Sequence, residues 1–218
     1  MRILSWKESE NLKKIKQRIL EISFKEKLSH LGSCLTAVSL IYRIYREKKK
    51  EDIFILSQGH AGLALYCVLE HFYKLDAYNL WKKHGTHPNL DIENHIHCST
   101  GSLGHGFPIA VGMALADRER KVYCLISDGE CAEGSIWEAL RIAEELKLEN
   151  LKVWVNMNGY SAYGTIDKER LKLRLSDYKV KMRIWYTNVE QIPCLKGIDA
   201  HYKVMSIGEY QWALLNIK

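Results

Sequence analysis

The chain has 218 residues, 47% of them apolar, which is enough for the core of one α/β domain and too few for a multi-domain enzyme. Its net charge is +6, and the basic residues are interleaved with acids, as in Arg46-Glu47-Lys48-Lys49-Lys50-Glu51-Asp52. Without an aromatic stacking platform, that run reads as a solvated helix end and argues against a nucleic-acid surface. Six cysteines without a Cys-x-x-Cys pair suit a reducing compartment. No apolar h-region opens the chain and no apolar run approaches about twenty residues, so a cytoplasmic protein is expected.

Taken in order, Leu12, Ile15, Ile19 and Ile22 recur at helical spacing and predict an amphipathic helix over 7–28. A second helix is expected over 34–48. Ile53-Phe54-Ile55-Leu56 reads as a short buried strand, followed by Ser57-Gln58-Gly59-His60 and a helix over 61–74. The polar, His-rich stretch 75–100 reads as loop. Residues 107–118 present a small-residue helical face through Ala110, Gly112 and Ala116. Val122-Tyr123-Cys124-Leu125-Ile126 is a continuous apolar strand of the kind buried on both faces in parallel sheets. A helix is expected over 136–147, with Ser135 and Glu138 as its capping box. Leu151–Val155 is the next strand, a strand-like run covers 180–187, and a last helix lies near 208–217. With only three prolines and no low-complexity segment, 1–218 reads as a single α/β domain. Its sheet is expected to be mainly parallel, with helices on both faces.

In such sheets ligands gather beyond the carboxyl ends of the strands. Two loops fall there: Ser127-Asp128-Gly129-Glu130 and Asn156-Met157-Asn158-Gly159-Tyr160. One helix joins their strands, so the loops should be adjacent. An acid, an amide oxygen and a backbone carbonyl then form an all-oxygen set for Mg²⁺, which completes its octahedron with phosphate oxygens and water. Gly129 clears the approach of a phosphate, and Gly159 permits a left-handed turn. Asp128 is expected to face solvent and to contribute little to the core.

The pair Asp128-Gly129 and Asn158 is similar to the thiamine-diphosphate motif, Gly-Asp-Gly followed by Asn after a set gap. The run from Ser127 to Leu140 resembles the N-terminal domain of transketolases. So do Leu56-Ser57-Gln58-Gly59-His60 and Thr100-Gly101-Ser102-Leu103-Gly104-His105-Gly106. The resemblance implies the thiamine-diphosphate-binding fold, with Asp128, Asn158 and the Tyr160 carbonyl on the metal. It also implies His60, Gly129, Glu130, Asn158 and His201 at the cofactor, and Gly101, Ser102, Leu103 and Gly104 running along it. His30, His60, His87 and His201 match the family's active-site histidines, suited to orienting hydroxyls and shuttling protons. Glu133 matches an acid that works across the subunit interface, completing the catalytic set.

By the same resemblance the cofactors are thiamine diphosphate and Mg²⁺ or another divalent cation. The reaction is transfer of a two-carbon ketol unit from a ketose phosphate to an aldose. The partner is a separate C-terminal subunit carrying the pyrimidine-binding domain, in an α2β2 heterotetramer. The sequence departs from the family in three places. Ser127 stands for a glycine, Ser102 stands for a proline, and the stretch from Asn158 to His201 is short, so the C-terminal part is expected to be trimmed. The alternatives are an α subunit of a 2-oxo acid dehydrogenase, a non-catalytic module that kept the fold, and a zinc site from His84, His87, His95, His97 and Cys98. Gly101-x-x-Gly104-x-Gly106 lacks the glycine order and preceding strand of a dinucleotide fingerprint.

Overall fold

The computed structural model describes residues 5–217. Helix α1 (Trp6–Lys25) starts at a capping box in which Ser5 and Glu8 exchange side-chain and backbone bonds. Its buried stripe includes Leu12, Ile15, Ile19 and Ile22, as the periodicity predicts. Helix α2 (Leu31–Glu47) follows, then strand β1 (Ile53–Leu56), a one-turn 3₁₀ helix and α3 (Gly62–Tyr73). Helix α5 (Gly106–Ala116) leads into β2 (Val122–Ser127), and α6 (Gly134–Glu145) into β3 (Leu151–Met157). After α7 (Lys168–Ser176) and β4 (Met182–Tyr186), the described chain closes on α8 (Ile207–Asn216). Between α3 and α5 lies α4 (Ala77–His84).

The four strands form one parallel sheet in the order β1-β2-β3-β4. Alternate side chains enter two cores. Phe54, Leu56, Tyr123, Leu125 and Trp154 pack with α1–α4 and α8, while Ile55, Cys124, Ile126, Val153 and Val155 pack with α5–α7. The expected α/β architecture with helices on both faces is therefore present. β2 is buried along its whole length, as a central parallel strand must be. Cys67 and Cys124 are core residues, 1% and 0% exposed.

Several expectations need correction. The stretch 75–100 is not all loop, because Asp76 caps α4 by accepting from the Asn79 N–H. Only Ala77 and Leu80 of α4 are buried, too few to print a period. The expected capping box at Ser135 and Glu138 does not form. Glu133 is the N-cap of α6 and makes no side-chain cap bond. Helix α2 begins at Leu31, three residues earlier than expected, because His30 turns the chain into it in a left-handed conformation (φ 61°).

Beyond α4 the chain is held by Asp91. Its Oδ2 accepts from Lys83 Nζ (2.7 Å), Asn94 Nδ2 (2.8 Å) and His84 Nε2 (3.0 Å). Burial opposes ionisation here, but hydrogen bonds from Lys83 and Asn94, with Lys83's charge, outweigh it and hold the acid at about 2. Its stabilising contribution is present above the ordinary carboxylate value and is lost as pH falls towards about 2. Asp91→Asn should therefore lower unfolding free energy at pH 7 by ~1–3 kcal/mol. In urea titrations, the difference from wild type should close as acidity rises below about pH 4.

Candidate active site

The site begins with the register of two parallel strands. Ser127 of β2 lies opposite Asn156 of β3, so the turns that follow leave the sheet side by side. The Asp128 N–H donates to the Asn156 carbonyl at 3.0 Å. Asp128 Oδ2 accepts from the Gly159 N–H at 2.6 Å, and Oδ1 from the Gly129 N–H at 3.1 Å. Asn158 Oδ1 accepts from the Tyr160 N–H at 2.9 Å. Gly159 has φ 92°, the left-handed turn expected of it. The expectation that Asp128 faces solvent is corrected: it is 1% exposed, because the turn after β3 folds over it to supply an N–H. Burial pushes its carboxyl up to about 7 against the pull of the Gly159 and Gly129 amides.

In front of these turns opens a cleft with about 640 Å³ of empty space, part of it open to solvent. His30, His60, His87 and His201 all line it, although they come from four separate segments. The ring centroids of His30 and His60 are 5.3 Å apart, and each lies 6.2 Å from His201. His201 Nδ1 is 2.9 Å from Ser33 Oγ, and its carbonyl accepts from the His30 N–H at 2.6 Å. Burial, reinforced by neighbouring imidazoles, pushes His60 down to about 3 and lowers His30; burial alone lowers His201. The three rings are therefore neutral at pH 7, able to donate from one nitrogen and accept at the other.

Gly101, Leu103, Gly129, Asn158 and Tyr160 also line the cleft. Asp128 lies behind Gly129 and Asn158, outside the lining. Ser102 is exposed and Gly104 is buried beneath the loop, so neither of these expected cofactor contacts borders the cleft. Glu130 does not reach it either: its carboxylate is 0% exposed and is taken up by Ser57, Gly104 and Ser127. Glu133 is half-buried beside Gly104 and stands apart from the four histidines.

Ser161, Ala162 and Tyr202 line the cleft too, and no sequence motif marks them. Tyr202 OH donates to the Ala162 carbonyl at 3.5 Å, a long contact across the mouth. Ser33 is a further residue that the motifs do not single out, though it lies one helical turn beyond His30 on α2 and that spacing could reveal it.

The donors at the two turns fit a divalent cation carrying a diphosphate. An acid withdrawn from solvent and raised to about 7 is one that a cation would return to its ionised form. Beside it are an amide oxygen and backbone carbonyls, the hard oxygen ligands such a cation takes. A Cβ at Gly129 would meet Ser161 Cα at 3.4 Å and the Tyr160 carbonyl oxygen at 3.5 Å. A side chain there would be tolerated by the backbone but would occupy the cleft floor. Among the described residues no group of three or more His, Cys, Asp or Glu is placed to hold a metal. Within the zinc alternative, His84 faces Asp91 and His95 stacks on Tyr73 at 3.7 Å.

A family model described as "Transketolase, thiamine diphosphate binding domain" matches residues 16–187. The chain is 35% identical to one subunit of the apulose-4-phosphate transketolase of Phocaeicola vulgatus, over 71% of this chain and 62% of that relative. It is 32% identical to a 6-deoxy-6-sulfo-D-fructose transketolase subunit of a Clostridium species, over 66% and 60%. The chain thus spans about three fifths of these curated relatives. In fold it is similar to transketolases of Pichia stipitis and Leishmania mexicana, with TM-scores of 0.74 and 0.70. Those alignments cover 90% and 92% of this chain, and 38% and 39% of the two structures, at 21% and 19% identity.

The histidine cluster has a measurable signature. The unfolded chain takes up a proton on His60 near the ordinary value of 6.5, whereas the folded chain resists it until about 3. Stability should therefore fall as pH drops through that window. In denaturant titrations from pH 7 to 4, His60→Asn should flatten this decline relative to wild type.

Proposed function

The chain belongs to the transketolase family, and from that premise we propose that it is the thiamine-diphosphate- and Mg²⁺-binding subunit of a two-chain transketolase. It would transfer a two-carbon ketol unit from a ketose, phosphorylated in the usual case, to an aldose. The observation that carries the reading is the meeting of Asp128 and the Asn158 turn at adjacent strand ends, behind a cleft lined by four histidines. The names of the two curated relatives support the two-chain arrangement, since both are transketolase subunits. The partner is a chain carrying the pyrimidine-binding half, in an α2β2 assembly in the cytoplasm. Among the described residues no helix is long and apolar enough to cross a membrane. We read 1–218 as one domain whose later strand-helix units are reduced to α7 and β4.

In this reading Asp128, Asn158 and the Tyr160 carbonyl hold the cation, and Gly129 and His60 border the diphosphate. Thiamine diphosphate, when bound, supplies at its thiazolium C2 the electron sink that ketol transfer needs. The chain's own residues then orient and protonate. His30, His87 and His201 hydrogen-bond the sugar hydroxyls. The depressed basicity of His30 and His201 keeps these rings neutral, so each can accept a hydroxyl proton and later return it. Glu133 acts outside the cleft, towards the partner.

Calorimetric titration of the chain with Mg²⁺ and thiamine diphosphate, with and without the partner, tests the reading. Heat of binding is expected in the assembled complex, and its absence would mark a non-catalytic module. Asp128→Asn should abolish that heat while the thermal midpoint moves by only a few degrees, about 1 kcal/mol. Loss of the fold in Asp128→Asn would instead make the acid a structural residue. Turnover of pyruvate by the complex, in place of ketol transfer, would move the chain to the 2-oxo acid dehydrogenases.

A further inference from the structure

Glu130 lies two residues beyond Asp128, yet it is buried at 0% exposure with no face on the cleft. A carboxylate so enclosed must be satisfied by donors. Three segments supply them. Oε1 accepts from Ser57 Oγ at 2.6 Å and from the Gly104 N–H at 3.0 Å, and Oε2 accepts from the Ser127 N–H at 3.0 Å. The Glu130 N–H donates in return to Ser127 Oγ at 3.3 Å. The Ser127–Glu130 exchange is the reciprocal pattern of a capping box, and it gives a physical role to the serine that stands for the family's glycine.

The loop on the other side is gripped from both ends of one residue. The Gly104 N–H goes to Glu130, while its carbonyl accepts from Ser135 Oγ at 3.0 Å. Gly104 has φ +79°, a conformation open to glycine, and a Cβ there would lie 2.5 Å from Ser135 Oγ and 2.8 Å from Glu133 Cβ. The residues that hold this loop therefore follow directly on the turn that bears Asp128.

We propose that Glu130 is a positioning residue whose enclosed carboxylate fastens the Gly101–Gly104 loop to the ends of β1 and β2, so that the loop is shaped before any cofactor arrives. The inference rests on the thiamine-diphosphate reading for its purpose, but not for its geometry. The ordering cost of the loop is met within the folded chain and is not charged to binding. If only a fraction of the molecules held the loop in place, apparent affinity would drop by that fraction.

Glu130→Gln replaces one carboxyl oxygen with an amide NH₂, which then faces one of the three donors. Ser57→Ala, a milder variant, removes one donor and keeps the carboxylate. Ile19→Val, in the α1 core, is the control for a general loss of stability. Backbone hydrogen exchange over 101–106 is measured on the full chain without ligand. Thiamine diphosphate is then titrated at saturating Mg²⁺ in the complex with the partner. Glu130→Gln should speed exchange at Gly104 by roughly tenfold or more and weaken thiamine diphosphate by a similar factor. Ser57→Ala should move both in the same direction by less, and Ile19→Val should move neither selectively. Unchanged exchange at Gly104 in Glu130→Gln, or a loosened loop with unchanged affinity, overturns the proposal. Should Glu130→Gln fail to fold, the same two outcomes in Ser57→Ala decide. If the wild type takes up no thiamine diphosphate while the variants still loosen the loop, the cofactor reading fails and the positioning role stands.

Discussion

Two backbone N–H groups, from Gly129 and Gly159, converge on the carboxylate of Asp128 at the end of β2. One comes from the acid's own turn and the other from the turn beyond the neighbouring strand, so a single side chain joins two strand ends. The parallel register of β2 and β3 makes this possible, because it releases both turns at the same height. Enclosing an acid is costly, and at about 7 its carboxyl carries that cost openly. The arrangement makes physical sense as a cation ligand held ready, since a cation lowers the same cost on arrival.

The rest of the cleft has a matching electrostatic character. No Lys or Arg stands among its described lining residues, and the imidazoles of His30, His60 and His201 are kept neutral by burial. Polar walls without a lysine or arginine suit a ligand rich in hydroxyls, which is recognised by the direction of hydrogen bonds.

What the sequence reveals follows a physical rule. β2 and β3 are legible because a strand buried on both faces has no polar option, and α1 because its stripe runs over five turns. Helix α4 is hidden because two buried residues cannot show a period. The Ser-x-x-Glu pattern at 135–138 misleads for a tertiary reason, since the Ser135 hydroxyl is spent on the Gly104 carbonyl. The same pattern at 127–130 does make the reciprocal bonds, but it sits at a strand end, where no helix rule would look for it. His60 and His87 are found from flanking motifs, His30 and His201 match the family positions only loosely, and the convergence of the four in one cleft cannot be read from spacing. The enclosure of Asp128 escapes the sequence because it depends on a turn about thirty residues away in the chain, roughly the span of one βαβ unit.

The bond between the His30 amide and the His201 carbonyl joins the start of α2 to the last turn before α8. Val189, Ile192 and Leu195, between β4 and that turn, and Ala200 within it are embedded in the same core as α2. This closing stretch is therefore masonry and not trailing thread. Cutting it away as an expendable end would strip one imidazole from the cleft and untie the backbone latch that aims another.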